Sequence, residues 1–100
     1  MKILTKANFS DTLRCDQNLK LIVGVATNCG VCKRLVDNLV KKNIEFGQIN
    51  LNDNQDYLRN LRRCGKLTSG NIGIPLICVY NNQEFVKICP ITTNPDEIAY

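Results

Sequence analysis

Lys20-Leu21-Ile22-Val23-Gly24-Val25-Ala26-Thr27-Asn28-Cys29-Gly30-Val31-Cys32-Lys33-Arg34-Leu35-Val36-Asp37-Asn38-Leu39-Val40-Lys41-Lys42 is the stretch whose reading decides the fold. Its first third, through Ala26, is a continuous apolar run rich in β-branched residues, which predicts a buried strand. Its last third repeats apolar residues at helical spacing: Val31, Cys32, Leu35, Val36, Leu39 and Val40. Lys33, Arg34, Asp37, Asn38, Lys41 and Lys42 fill the other face of what reads as an amphipathic helix. Between strand and helix sits Cys29-Gly30-Val31-Cys32. Six cysteines in 100 residues give about 0.3 pairs at this spacing by chance. Position therefore carries the reading, because the pair falls where a central strand hands over to the first turn of a helix.

That position has chemical consequences. A helix N-terminus presents unpaired N–H groups and about half a positive charge, which favours a thiolate over a thiol. The thiolate is the nucleophile in disulfide exchange, so Cys29 is placed to attack. Three residues on, Cys32 lies on the same side of the helix within the apolar stripe, where a more buried and less acidic thiol is expected. An exposed attacker and a sheltered resolver form the asymmetry that thiol exchange requires. Lys33, one turn from Cys29, adds positive charge there or is simply solvated.

Outward from this unit the segments alternate as in an α/β sheet. Lys2-Ile3-Leu4-Thr5 reads as a short edge strand, followed by a helix over residues 7–15 with Phe9 and Leu13 turned inward. Ile44-Glu45-Phe46-Gly47-Gln48-Ile49-Asn50-Leu51 is strand-like, with a break near Gly47 that suggests a bulge. Asn52-Asp53-Asn54-Gln55 is a turn rich in capping residues, and Tyr57, Leu58 and Leu61 mark a helix that stops at Gly65. Residues 66–73 are a polar loop. Pro75 to Tyr80 and Glu84 to Ile88 flank Asn81-Asn82-Gln83 as a β-hairpin.

Bulk properties set limits on function. One hundred residues make one domain, 44% apolar and 22% charged, as in ordinary globular chains. The longest apolar run has the length of a strand, far short of the ~20 residues of a membrane span. The N-terminus lacks a signal-peptide stretch, so a cytoplasmic location is expected. A net charge of +4 from scattered basic residues gives no phosphate-tracking stripe, and nucleic acid is not an expected partner. Cys15, Cys64, Cys78 and Cys89 have no paired spacing, and the chain has no histidine, so no complete zinc-finger ligand set is present. Cys78 reads as a small buried hydrophobe. Cys64 and Cys89 are open between regulatory thiols and simple packing, and Cys15 carries no readable role.

The order of Ile3-Leu4-Thr5 and Asn8-Phe9, the strand, Cys29-Gly30-Val31-Cys32-Lys33, a helix, and Gly73-Ile74-Pro75 before a hairpin resembles thioredoxin over nearly the whole chain. The resemblance implies a three-layer α/β sandwich: a mixed central sheet with flanking helices. The C-terminal helix is shortened, since Asn94-Pro95-Asp96-Glu97 is a good helix start with only Ile98-Ala99-Tyr100 after it. That leaves the sheet face there either partly uncovered or closed in some other way. The resemblance also implies that Pro75 is cis and lies against the dithiol, with Ile74 offering backbone hydrogen bonds to an extended substrate. Gly30 and Val31 complete that substrate-binding set. From the residues alone, a trans proline opening an edge strand is the default, because only about 5–6% of X–Pro bonds are cis.

Departures from the pattern are specific. Asn28 stands where the family has tryptophan, Val31 where it has proline, and Val23 where it has a buried acid. Cys89-Pro90-Ile91 replaces a glycine opposite the active site. Glutaredoxin is the next relative, but its paired glycines after the hairpin are absent. The function implied is thiol–disulfide exchange without a cofactor or metal, with Cys29 as nucleophile and Cys32 as resolving thiol. The protein is expected to act as a monomer on disulfide-containing protein substrates, with a reductase or glutathione as electron source and no membrane partner. A glutathione-linked oxidoreductase, a non-catalytic binding module using the Ile74–Pro75 groove, and a metal or iron–sulfur site completed by a second subunit are the alternatives.

Overall fold

Strand β2 (Leu21–Val25) is the middle strand of a five-stranded sheet, and all five of its residues are buried. A computed structural model describes residues 2–4, 19–63, 73–82 and 84–98. The helix expected over 7–15, the stop at Gly65, most of the 66–73 loop, Gln83, Cys15 and Cys64 lie outside the described residues. The remaining elements are β1 (Lys2–Leu4), α1 (Gly30–Lys41), β3 (Gly47–Asn50), α2 (Gln55–Arg63), β4 (Leu76–Asn81) and β5 (Glu84–Cys89), with a closing 3₁₀ turn at Pro95–Glu97. The strand order is β1-β3-β2-β4-β5. β1, β3 and β2 run parallel, and β4 and β5 are antiparallel additions. The sheet is therefore mixed.

Alternation along the strands sorts the core into two layers. Leu21, Val23 and Val25 cluster with Ile77, Val79 and Phe46 and receive Cys32, Leu35 and Leu39 of α1. Ile22, Ile49, Leu76, Cys78 and Tyr80 cluster with Leu61 of α2, against which Tyr57 and Leu58 also pack. Helix, sheet, helix: this is the three-layer α/β architecture. Gly24 is small for a reason, since a Cβ there would stand 3.0 Å from Leu51 Cδ1 and 3.1 Å from Leu76 Cβ.

Several expectations change. The apolar stripe of α1 is narrower than its sequence, because Val31 and Val40 are exposed and only Cys32, Leu35 and Leu39 are buried. Asn38 belongs to the packed side, with Nδ2 donating to the Thr93 carbonyl at 2.7 Å. The third strand begins at Gly47 rather than Ile44, and its register with both neighbours is regular from Gly47 onward, so no bulge forms there. Ile44 belongs to the end of α1 instead. Asn43 adopts φ 56°, its N–H bonds the Val40 carbonyl, and the Ile44 N–H bonds the Leu39 carbonyl at 3.1 Å. This is the Schellman arrangement, with asparagine in place of the usual glycine. The irregularity lies in the hairpin, where Val79 faces Lys87 but Tyr80 faces Phe85, leaving Val86 as the extra residue. Asn82, with φ 49°, turns the hairpin.

The C-terminal segment is one 3₁₀ turn rather than a short α-helix. Asn94 caps it, its side chain accepting the Asp96 N–H at 3.0 Å, and Ile98 enters the α1-side core. Lys42 and Asp96 pair across to α1 at 2.5 Å, exposed. Among the described residues no helix is long and apolar enough to cross a membrane. Leu35 is fully buried, so Leu35→Ala is expected to cost about 2–5 kcal/mol, whereas Lys42→Ala should cost less than about 1 kcal/mol. Chemical denaturation of the two variants checks the contrast.

Candidate functional site

Once β2 ends at Val25, the chain makes a turn at Thr27-Asn28 and starts α1. Asn28 takes φ 61°, a left-handed conformation that asparagine tolerates better than most residues. Cys29 is the N-cap of α1, and its Sγ accepts the Cys32 N–H at 3.2 Å. The Lys33 N–H bonds the Cys29 carbonyl and closes the first turn. Cys29 and Cys32 are joined by a disulfide, with Cα atoms 5.3 Å apart, a usual span for such a bond. Cys29 is half-buried and Cys32 is only 3% exposed, packed with Val23 and Leu35. The two sulfurs thus meet solvent unequally.

The surroundings are mostly apolar. Val31 and Gly30 are exposed on the first turn. A depression of about 510 Å³ beside the pair is lined by Asn28, Cys29, Cys32, Lys33, Val36 and Gln48. Among the described residues no Asp, Glu, Lys or Arg side chain is buried, and Val23 of β2 shares the buried cluster of Cys32. Nor do they include a group of three or more His, Cys, Asp or Glu able to hold a metal ion.

Pro75 and Ile74 arrive at the same end of the sheet. Gly24 pairs with Leu76 in antiparallel register, so the residues just before Leu76 run alongside Val25 and Ala26. Ile74 and Ala26 line one depression of about 300 Å³ together. The Ile74–Pro75 bond is cis; Pro75 is buried and Ile74 exposed. A Cβ on Gly73 would meet Ile91 Cδ1 at 2.3 Å, so the glycine before Ile74 is what lets Ile91 lie against this loop. Two hydrogen bonds fix the loops: the Leu51 N–H donates to the Val25 carbonyl at 2.8 Å, and the Thr27 N–H donates to Asn52 Oδ1 at 2.9 Å.

No family model matches the chain, and no curated protein sequence matches it. Solved structures do. Fasciola hepatica thioredoxin superposes with TM-score 0.64 at 17% identity, over 89% of this chain and 85% of that one. A structure concerned with the thiol-resolving mechanism of yeast mitochondrial 1-Cys peroxiredoxin, via glutathione/thioredoxin systems, gives TM-score 0.64 at 17% identity, over 96% of this chain and 87% of that one. The chain has a thioredoxin fold. Zinc-bound human ERp44 also matches, with TM-score 0.66 at 13% identity, over 93% of this chain but only 27% of the longer protein.

The thioredoxin fold here contains a second group that the sequence did not announce. Tyr57 of α2 and Tyr80 of β4 join hydroxyls at 3.0 Å, and Tyr57 also hydrogen-bonds the Cys78 thiol. Burial pushes Cys78 up to about 11, opposed by the Tyr57 hydrogen bond. Burial likewise pushes Tyr80 up to about 12 and holds Tyr57 well above the usual phenol range. Apolar periodicity marked Tyr57 and Cys78 as core, but it carries no signal for which polar atoms meet there. Cys89 is buried beside α1, packed rather than exposed. Groups whose values rise on folding stabilise fully below their unfolded values, and that stability is lost as pH climbs through the folded ones. Stability should therefore hold to about pH 9 and fall through pH 11–12. Denaturant titrations across that range check this, and Cys78→Ala should flatten the first part of the fall.

Proposed function

We propose that the chain is a thiol–disulfide oxidoreductase that reduces disulfides of protein substrates through Cys29 and Cys32. The observation that supports it most is the Cys29–Cys32 disulfide at the N-cap of α1, with one sulfur reachable and the other buried. In the reduced protein, the free N–H groups and dipole of α1 favour the Cys29 thiolate. That thiolate attacks one sulfur of a substrate disulfide. The substrate S–S bond breaks, its other sulfur leaves as a thiolate that takes a proton from water, and a Cys29–substrate mixed disulfide forms.

Cys32 then completes the exchange. Its thiolate, formed by loss of a proton to water, attacks Cys29 Sγ, the mixed disulfide breaks, and the second substrate sulfur departs to be protonated. Two electrons pass to the substrate and Cys29–Cys32 is oxidised. Two electrons from a reductase dithiol or from two molecules of glutathione restore it. Exposed Val31 and Ile74 flank the extended substrate segment, and Gly30 leaves room for it, since a Cβ there would meet nothing within 4 Å.

Reduction of a model protein disulfide by the reduced chain tests the reading. Cys29→Ser should abolish it, and Cys32→Ser should halt it at a mixed disulfide that mass spectrometry detects on Cys29. Full activity in Cys29→Ser would overturn the assignment.

A further inference from the structure

Between the start of α1 and β3 lies the hollow of about 510 Å³ that holds Cys29 and Cys32. β3 and β4 flank β2 on opposite sides, so this hollow lies across β2 from the Ile74–Pro75 loop that leads into β4. Gln48 of β3 pairs with Val23 in register. Cross-strand partners share a face, which puts the Gln48 side chain on the α1 side of the sheet. From the helix comes Val36, two turns beyond Cys29 and half-buried against the core. Val25 and Ala26, where β2 ends, add apolar surface. Lys33 and Asn28 supply the remaining polar groups, and no carboxylate lines the hollow.

We propose that this hollow seats the ring of an aromatic residue one or two positions from the reacting cysteine of a protein substrate. That preference rests on the oxidoreductase reading above and names the substrate class that the same site takes. Cys29 itself lines the hollow, so a residue next to the sulfur bonded to Cys29 enters it without spanning a gap. Val25, Ala26 and Val36 offer apolar contact that any large hydrophobic side chain gains from. Two further neighbours distinguish a ring from an alkyl group. The Lys33 ammonium is attracted to the negative face of a ring, and no ion pair engages Lys33 among the described residues. The sulfurs of the pair are polarisable and make favourable contacts with aromatic edges. A carboxylate would repel the ring face, and none is there. The hollow is within the size range of pockets that hold drug-sized molecules, so one ring leaves room for water beside Cys32.

The test uses exchange equilibria on Cys29 in a Cys32→Ser background, where the adduct is not resolved. The thiol is equilibrated with equal amounts of competing cysteine peptides and their disulfides, and the adducts are weighed by mass spectrometry. The peptides differ only in Phe, cyclohexylalanine or Ala at one or two residues from the cysteine, on either side. At one of these positions at least, Phe should be enriched over Ala about 5- to 10-fold, as for partial burial of a ring. Phe should exceed cyclohexylalanine there about 2- to 5-fold, the size of an exposed cation–π contact. Lys33→Gln should bring that second ratio close to one and leave the first well above it. Val36→Phe fills the hollow from the helix and Gln48→Phe fills it from the sheet, both at half-buried positions. Each should return the Phe-to-Ala ratio to about one, with circular dichroism confirming the fold; if one variant misfolds, the other decides. Equal Phe and Ala adducts at every position overturn the seat. So does enrichment that survives the filling, which places the ring elsewhere, and a Phe-to-cyclohexylalanine ratio of one removes the aromatic preference. Adducts form by chemical exchange whether or not the protein turns over. Flat ratios with intact disulfide reduction by the unsubstituted chain therefore sink only the seat, while enrichment without reduction sinks only the catalytic reading.

Discussion

A strand buried on both faces has to surrender its chain to something that satisfies the next few backbone groups, and β2 surrenders it to a helix whose N-cap is a cysteine. The first N–H groups of α1 have no partner within the helix. Cys29 Sγ takes one of them, from Cys32, so the sulfur sits at the positive end of the helix as a condition of the helix beginning there. Helical spacing then places Cys32 on the same side and inside the core with Leu35 and Leu39. The Cys29–Cys32 pair is thus a by-product of how the central strand ends. The Thr27–Asn52 and Leu51–Val25 hydrogen bonds hold the neighbouring turn to that junction, and antiparallel pairing with β4 brings Ile74 and Pro75 alongside.

Much of this was legible in the residues because each step depends on local pattern. A six-residue apolar run reads as a buried strand, an i, i+3, i+4 stripe reads as a helix, and Asn81-Asn82 between two β-branched runs reads as a hairpin. What escaped was decided by neighbours far away in sequence. Val31 and Val40 belong to the stripe of α1, but they flank the line of Cys32, Leu35 and Leu39 that is buried, and both remain exposed. A break in alternation near Gly47 suggested a bulge, whereas the real irregularity, at Val86, accompanies the pairing of Phe85 with Tyr80, whose rings meet edge-on at 5.8 Å. Ile44 looked like the start of a strand because it is apolar and β-branched, but its backbone N–H caps α1 instead.

The chemistry of the pair depends on what the core withholds. With Val23 in the sheet below Cys32 and no acidic or basic side chain buried among the described residues, no internal carboxylate stands ready to take the Cys32 proton. The polar groups lining the hollow that contains both cysteines are Asn28, Lys33 and Gln48. Amides can orient water or stabilise a thiolate by donating to it, but they do not accept a proton at neutral pH. In the exchange proposed above, proton movement at Cys32 therefore runs through solvent in that hollow. The helix N-terminus is left as the main internal source of thiolate stabilisation.

On the far side of the same core, the C-terminal turn packs against the α1 face. Ile98 reaches the cluster around Leu39 and Val79 from a single 3₁₀ turn. That turn is tied to α1 by Asn38 to Thr93 and by Lys42 to Asp96, and braced internally between Thr92 and Glu97. On β5 the residue opposite Val79 is Lys87, which is exposed. An apolar side chain at that register would leave bare hydrophobic surface on an edge strand, which invites pairing with other chains. A lysine keeps the edge in water.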